Sequence, residues 1–125
     1  MSETTQQGEA LRKAFLDGMS RAASSVTVVT TDGPAGRAGV TVSAMTSVSA
    51  DGEEPTMLTC LNAASSVLPL VLENGCFCIN VLQSAQTAIS DIFSSRSPAP
   101  GGDKFTAVEI FTAATGAPCL TQALV

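Results

Sequence analysis

The pattern of apolar and polar positions predicts one amphipathic helix followed by a series of short strands. Between Glu9 and Ala23 the helical period is occupied by the apolar residues Leu11, Phe15, Met19 and Ala22. The later segments are compact and rich in β-branched residues, which favour strands. Four strands are predicted, at Ser25–Thr31, Gly39–Ser49, Thr56–Asn62 and Cys76–Leu82.

The connections between these strands indicate an antiparallel arrangement. Turn clusters at residues 32–36 and 50–55 join the first three strands directly, which favours hairpins over parallel crossovers. Short helices are predicted from Ser65 or Ser66 to Glu73, closed by Gly75, and from Ser84 to Phe93. The segment 94–102, rich in Ser, Pro and Gly, is predicted to be a loop. We therefore expect a mainly β fold with short helices, closing into an antiparallel barrel.

Length and composition are typical of one folded domain. The chain has 125 residues, of which 45% are hydrophobic and 14% charged, too apolar for a disordered protein. We predict a flexible N-terminal arm at residues 1–8 and a single domain at residues 9–125. A small chain with so few charges is expected to cover apolar surface by association.

Charge and cysteine usage exclude several classes of function. The net charge of −5, with scattered basic residues, argues against nucleic-acid binding. No apolar run is long enough to span a membrane, and the N-terminus lacks the apolar segment of a signal peptide. The chain has no His, so no metal site is predicted, and we interpret four cysteines as reduced, small buried hydrophobes: Cys60, Cys76, Cys78 and Cys119. This usage favours a cytoplasmic location.

The most unusual chemistry in the sequence is the density of hydroxyls along the second strand. Without His, Ser–His–Asp and Cys–His catalysis are excluded, and no glycine-rich nucleotide motif is present. The second strand nevertheless carries Thr41, Ser43, Thr46, Ser47 and Ser49. Together with Asn62 and the serines after it, these groups suit a planar ligand whose phosphate sits at the start of the Ser66 helix. The alternative is that the hydroxyls simply face solvent.

Several motifs in chain order resemble one known family. They are SSVTVVTT, GVTVSAMTSVSADGEEPTMLTCLNAASSV, GCFCINVL, DKF and TGAPCL, and they extend from about Leu11 to Leu124. This set is similar to the short-chain flavin reductases, the family that includes the reductase component of hydroxyphenylacetate hydroxylase. The resemblance implies an FMN-binding split β-barrel that is usually a homodimer, with the flavin near the dimer interface.

The resemblance also implies an activity. Such NAD(P)H:flavin oxidoreductases transfer hydride from NADH or NADPH to FMN or FAD, and reduced flavin then serves a partner monooxygenase of aromatic degradation. The hydride passes directly between the two cofactors, so no catalytic acid or base is required of the protein. No catalytic residue is predicted for this reason.

Carried onto this sequence, the family implies fourteen flavin contacts. The isoalloxazine would be wrapped by Ser43, Ala44, Met45, Thr46 and Ser47, with the contact continued by Ser49 and Ala50. The ring and ribityl side would be lined by Cys60, Leu61 and Asn62. The phosphate would be held at the helix start by Ser65 and Ser66. The pocket would be closed from the loop by Lys104 and Phe105.

The sequence departs from the family pattern at its C-terminal side. In the family further strands follow, with a Gly-Asp-His or Gly-Thr-His motif near the nicotinamide, whereas this sequence stops at Val125. We therefore expect a barrel that is incomplete at the C-terminal end and a reductase of impaired activity. One alternative is a flavin-binding module without turnover. Another is a structural or interaction domain that retains no flavin.

Overall fold

The fold consists of small antiparallel sheets with three helices, the first of which buries none of its residues. The structure, a computed structural model, describes residues 3–125. In chain order its helices and strands are α1 (Glu3–Arg21), β1 (Thr27–Thr31), β2 (Ala38–Val42), β3 (Met45–Ser49), β4 (Thr56–Thr59), α2 (Val67–Asn74), β5 (Cys78–Val81), α3 (Thr87–Phe93), β6 (Ile110–Thr112) and β7 (Pro118–Leu120). Short 3-10 turns lie at Ser84–Gln86, Pro100–Gly102 and Lys104–Ala107.

The strands pair into three antiparallel sheets. One sheet has the order β2-β1-β5, and the other two are the hairpins β3-β4 and β6-β7. The predicted mainly β fold with short helices and direct hairpins is therefore confirmed. A closed barrel is not seen, because hydrogen-bonded strands within residues 3–125 stay in these three separate groups.

β1 is the centre of the fold, with all five residues buried. Its threonines are tolerated there because each hydroxyl donates to a carbonyl oxygen: Thr27 to Val42 at 2.9 Å, Thr31 to Cys76 at 2.7 Å and Thr30 to Pro118. The run Cys76–Leu82 is largely apolar, which predicts a strand covered on both faces. That prediction is wrong for most of β5, whose residues other than Asn80 are half-buried, because β1 takes the position between β2 and β5.

Asn80 links three strands through its buried amide. Its Nδ2 donates to the Val28 carbonyl at 2.9 Å and to the Thr30 hydroxyl at 3.0 Å, and its Oδ1 accepts from the Leu120 N–H at 2.8 Å. Each of these groups would be costly to bury unpaired. Asn80 therefore fixes the position of β7 against β1 and β5.

The apolar core lies between this sheet and α3. Val28, Phe93 and Leu120 are its buried members, and Ile89, Ile92 and Phe105 pack against them. Gly39 of β2 makes this packing possible, because a Cβ at that position would lie 2.7 Å from Cε1 of Phe93. The glycine thus allows the aromatic ring to lie directly on the strand.

Two of the predicted boundaries differ from those in the structure. The predicted second strand is two strands, β2 and β3, because the chain leaves one sheet after Val42 and enters another at Met45. Small residues, Ser43 and Ala44, occupy the bend between them. The predicted flexible arm is helical from Glu3 onward, since α1 begins there, and Met1 and Ser2 lie outside the described residues.

The exposure of the four cysteines also differs from the sequence prediction. All four cysteines are free thiols as expected, but Cys60 is exposed and the other three are half-buried, so full burial was wrong. Within residues 3–125 no helix is both long and apolar enough to cross a membrane. The same range contains no cluster of three or more potential metal ligands among His, Cys, Asp and Glu.

Candidate functional site

The bend between β2 and β3 brings two predicted flavin-binding segments together. The Ala44 carbonyl accepts from the Cys60 N–H at 3.0 Å and from the Thr59 hydroxyl at 3.0 Å. Met45 then pairs with Thr59 along the β3-β4 hairpin. The bend at Ala44 therefore lies beside Cys60, whereas Ser47 and Ser49 pair with Met57 and Thr56 farther along the hairpin.

The hairpin presents a surface that is open to a ligand. Five of its predicted contacts are exposed, whereas Met45 and Ser49 are half-buried; the exposed ones are Ser43, Ala44, Thr46, Ser47 and Ala50. A bulge interrupts the ladder between Ser47 and Ser49. The Thr46 hydroxyl donates to the Ser47 carbonyl at 3.2 Å, and the Ser49 hydroxyl accepts from the Asp51 N–H at 3.2 Å. The bulge frees local backbone groups from pairing, a common feature next to binding sites.

The turn from Asn62 to α2 is satisfied largely by its own hydrogen bonds. Asn62 accepts from the Ala64 N–H through Oδ1 at 2.8 Å and from the Ser65 N–H through its carbonyl at 2.9 Å. Ser65 accepts from the Val67 N–H through its hydroxyl at 3.2 Å and from the Leu68 N–H through its carbonyl at 3.3 Å. Exposed Asn62 and half-buried Leu61 thus shape the turn that leads into the helix.

These bonds change the expected role of the α2 N-terminus. Val67 and Leu68 already use their N–H groups, and the next residue, Pro69, has none. Ser66 occupies the N-cap position without a side-chain capping bond, so its hydroxyl can face a ligand. A phosphate here would need side-chain donors, because the backbone supplies fewer free N–H groups than the sequence suggested.

Lys104 is tied to the end of α3. Its ammonium donates to the Phe93 carbonyl at 3.2 Å and to the Ser95 hydroxyl at 3.0 Å. Ser95 has a positive φ of 64°, and the Ser95 and Arg96 N–H groups donate back to Ile92 and Asp91 in a Schellman arrangement. A cation at a helix C-terminus is favourable, so Lys104 holds the loop on α3, with one N–H left for a ligand.

Phe105 connects the same loop to the core. Its ring meets Phe93 edge-on, with centroids 5.2 Å apart and an interplanar angle of 83°. The Arg37 guanidinium lies over the Phe105 ring, 5.6 Å from its centroid. Phe105 is therefore half-buried. Its ring packs against the core and forms a wall beside Arg37.

A cavity of about 370 Å³ collects several of these groups. It lies between the start of β2, the start of α2 and the 102–105 loop, and its walls include Arg37, Gly39, Ser66, Lys104 and Phe105. The sequence singled out the last three but missed Arg37. No motif marks that arginine. In the sequence it is only a cation that directly follows the turn at residues 32–36.

Ser43 lies on a different hollow. That cavity, of about 250 Å³, is lined by Ser43 together with Thr41, Ser90, Ser94 and Arg96. The Thr41 hydroxyl donates to the Ser90 carbonyl at 2.8 Å, which fixes β2 to α3 here. The structure therefore places the predicted contacts on two cavities and the exposed hairpin rather than in one enclosed pocket.

Comparison with known proteins points to one family. A family model described as "Flavin reductase like domain" matches residues 19–125. Two relatives named "FMN reductase (NADH) RutF" are 42% identical over 125 residues, in Stutzerimonas stutzeri, and 45% identical over 114 residues, in Ancylobacter novellus. The matches cover 98% and 91% of this chain. They cover 70% and 61% of the relatives, so the chain spans about two thirds of their length.

Solved structures agree with these relatives. A putative flavin reductase from Haemophilus somnus is 35% identical, with a TM-score of 0.79 over 90% of this chain and 69% of that one. Nitrilotriacetate monooxygenase component B from Mycobacterium thermoresistibile is 26% identical, also with a TM-score of 0.79, over 93% of this chain and 62% of that one.

Proposed function

Because the chain belongs to the flavin reductase-like domain family, we propose that it acts as an NADH-dependent FMN reductase. Membership of this family of enzymes confirms the resemblance seen in the sequence. The names of the two relatives support FMN and NADH over FAD and NADPH. When bound, the flavin supplies the hydride-accepting chemistry, and the chain supplies position and electrostatics.

The observation that carries this proposal is the fit between the cavity and an anionic flavin tail. The cavity of about 370 Å³ falls in the usual range for small-molecule sites, about 300–1,000 Å³. It combines two cationic side chains, Arg37 and Lys104, with the Ser66 hydroxyl and an aromatic wall. This donor set is the one that binds phosphate groups in proteins.

The proposed ligand contacts follow the residues predicted from sequence. We assign the isoalloxazine to the hairpin surface formed by residues 43–50 and 60–62, two segments that the Ala44–Cys60 bond joins at one end. The phosphate is assigned to the cavity beside Ser65 and Ser66, with Lys104 and Phe105 on its loop side. No general acid or base is assigned, in agreement with the absence of His.

A flavin titration followed by anaerobic reduction tests the proposal. FMN should bind with quenched flavin fluorescence, and NADH should then bleach the absorbance of the bound flavin. FAD and NADPH, run in parallel, should bind or react more weakly. Bound flavin that NADH fails to bleach would instead identify a flavin-binding module without turnover, and the absence of any binding would favour a structural domain.

We also propose that the sheets form part of a split barrel within a homodimer. Support comes from apolar side chains left uncovered on α1, a helix with no buried residue: Leu11 is 73% exposed and Phe15 62% exposed. Exposed apolar faces of this kind mark association surfaces. That residues 9–125 form the domain stays a prediction.

The partner proposed for the reduced flavin is a separate oxygenase. One structural relative is itself named as component B of a monooxygenase, which supports a two-component arrangement. The aromatic substrate class and the cytoplasmic location stay predictions from the sequence.

A further inference from the structure

We propose that Arg37 is the residue by which this chain distinguishes a flavin phosphate from an uncharged flavin. The inference rests on the proposed flavin site and names the group that sets its specificity. It predicts that Arg37 contributes strongly to binding of FMN and very little to binding of riboflavin, which carries the same ring and ribityl chain without the phosphate.

Arg37 is held in place by two contacts. Its Nε donates to Asp32 Oδ2 at 3.0 Å, and its guanidinium lies 5.6 Å from the centre of the Phe105 ring. The side chain is 44% exposed, so a ligand can reach it, while the two contacts restrict its motion. An arginine fixed in this way loses little side-chain entropy when it binds an anion.

The same contacts leave most of its donors available. A guanidinium has five N–H donors, and Asp32 is the hydrogen-bond partner of one nitrogen, Nε. Within residues 3–125, no hydrogen bond or ion pair is found for the two terminal nitrogens. Paired parallel N–H groups match two oxygens of one phosphate, so Arg37 retains the part of its side chain suited to that ligand.

Competing donors around the cavity are mostly engaged. Lys104 already makes two hydrogen bonds at the end of α3. The first-turn N–H groups of Val67 and Leu68 are bonded to Ser65, and Pro69 has none. Asp103, the acidic residue of the cavity wall, accepts from the Phe105 N–H at 3.0 Å. Arg37 is therefore the cation with the greatest unused capacity for a phosphate at this cavity.

The decisive experiment compares FMN and riboflavin affinities of Arg37→Met, wild type and Arg12→Met, by fluorescence quenching at fixed ionic strength. Arg12→Met is a matched control, because it removes the same charge from exposed α1. In Arg37→Met, FMN should bind about 10- to 100-fold more weakly, the range for one charged hydrogen-bonding group. Riboflavin binding should change by less than about 2-fold, and the control should leave both affinities unchanged.

Two further measurements test the assignment even if Arg37→Met does not fold. Arg37→Lys retains the charge and should recover part of the preference for FMN. In wild type, added salt should weaken FMN binding more than riboflavin binding, because only FMN carries the charged phosphate. Equal losses for both flavins in Arg37→Met, or an unchanged FMN affinity, would overturn the assignment while leaving the proposed reductase function intact. A wild-type chain that binds neither flavin would overturn both.

Discussion

Two phenylalanines, Phe93 on α3 and Phe15 on α1, lie in opposite kinds of surroundings. Phe93 is fully buried against Val28, Leu120 and the edge of Phe105. Phe15 is 62% exposed on a helix that buries none of its residues. The first region is completed by the chain itself, whereas the second presents the same chemistry with nothing over it among residues 3–125.

The core around Phe93 stabilises the fold of a single chain, whereas the exposed face of α1 is the surface proposed for association. Around β1 every buried side-chain polar atom of the described residues has a partner, and the aromatic ring closes the core over Gly39. An isolated helix such as α1 gains little stability in water without a packed face. Burial of its apolar stripe against a second copy of the chain, the occupant proposed above, would supply that packed face.

The largest expected effect comes from removing the ring in the first region. Phe93→Ala should lower the free energy of unfolding by about 3–5 kcal/mol, because it leaves a cavity between β1, β2 and α3. Phe15→Ala removes the same atoms from an exposed position and should cost less than about 1 kcal/mol. Urea unfolding at a concentration where both chains are monomeric provides the measurement. Similar losses at the two positions would contradict the division into two regions.

The sequence predicted the first region better than the second. Hairpins β1-β2 and β3-β4 followed from the turn clusters at 32–36 and 50–55, since short turns between β-branched runs leave few other arrangements. Asn80 and Thr30 could not be foreseen as a network, because their bonds join residues about 40–50 positions apart in the chain. The split of the second strand was missed because periodicity does not show which sheet a residue joins.

The candidate site shows the same limit. Ala44 and Cys60 lie side by side where the hairpin begins, whereas Ser47 pairs with Met57. That these residues bind flavin stays a prediction. Arg37 was missed, since its link to Ser66 depends on how α2 packs on β2 in three dimensions. Lys104 was predicted as a pocket closure, yet its bonds to Phe93 and Ser95 belong to the end of a helix.

An intermediate effect is expected from changing the second region. Leu11→Ser with Phe15→Ser should weaken self-association by about 30-fold or more, since interface anchors of this size contribute about 2 kcal/mol or more. The monomer should keep the unfolding midpoint of wild type measured at dilution. Sedimentation over a concentration series checks the association. A wild type that stays monomeric throughout would remove the second copy as the occupant of this face.

The smallest effect concerns a thiol at the edge of the core. Cys78 lies 3.5 Å from Cys119, sulfur to sulfur. Burial, together with the hydrogen bond and charge of Cys119, raises the pKa of Cys78 to about 12. The folded state thus holds this proton more tightly than the unfolded state, whose thiol has a pKa near 9.0. The stabilising contribution is complete below pH 9 and is lost as pH rises toward 12.

Cys78→Ala isolates that contribution. The wild type should lose stability between pH 9 and 12 more steeply than the variant, and both should show similar slopes between pH 7 and 8.5. The chain contains no Tyr, so no phenol contributes to the slope in this range. Cys60→Ala is the matched control, because that thiol is exposed on the hairpin. Cys60→Ala could instead reduce the loss of stability between pH 9 and 12 as much as Cys78→Ala does. Ionisation of a thiol at the edge of the core would then cost no more than ionisation on the exposed hairpin. That result would contradict the contrast between the two regions at this position.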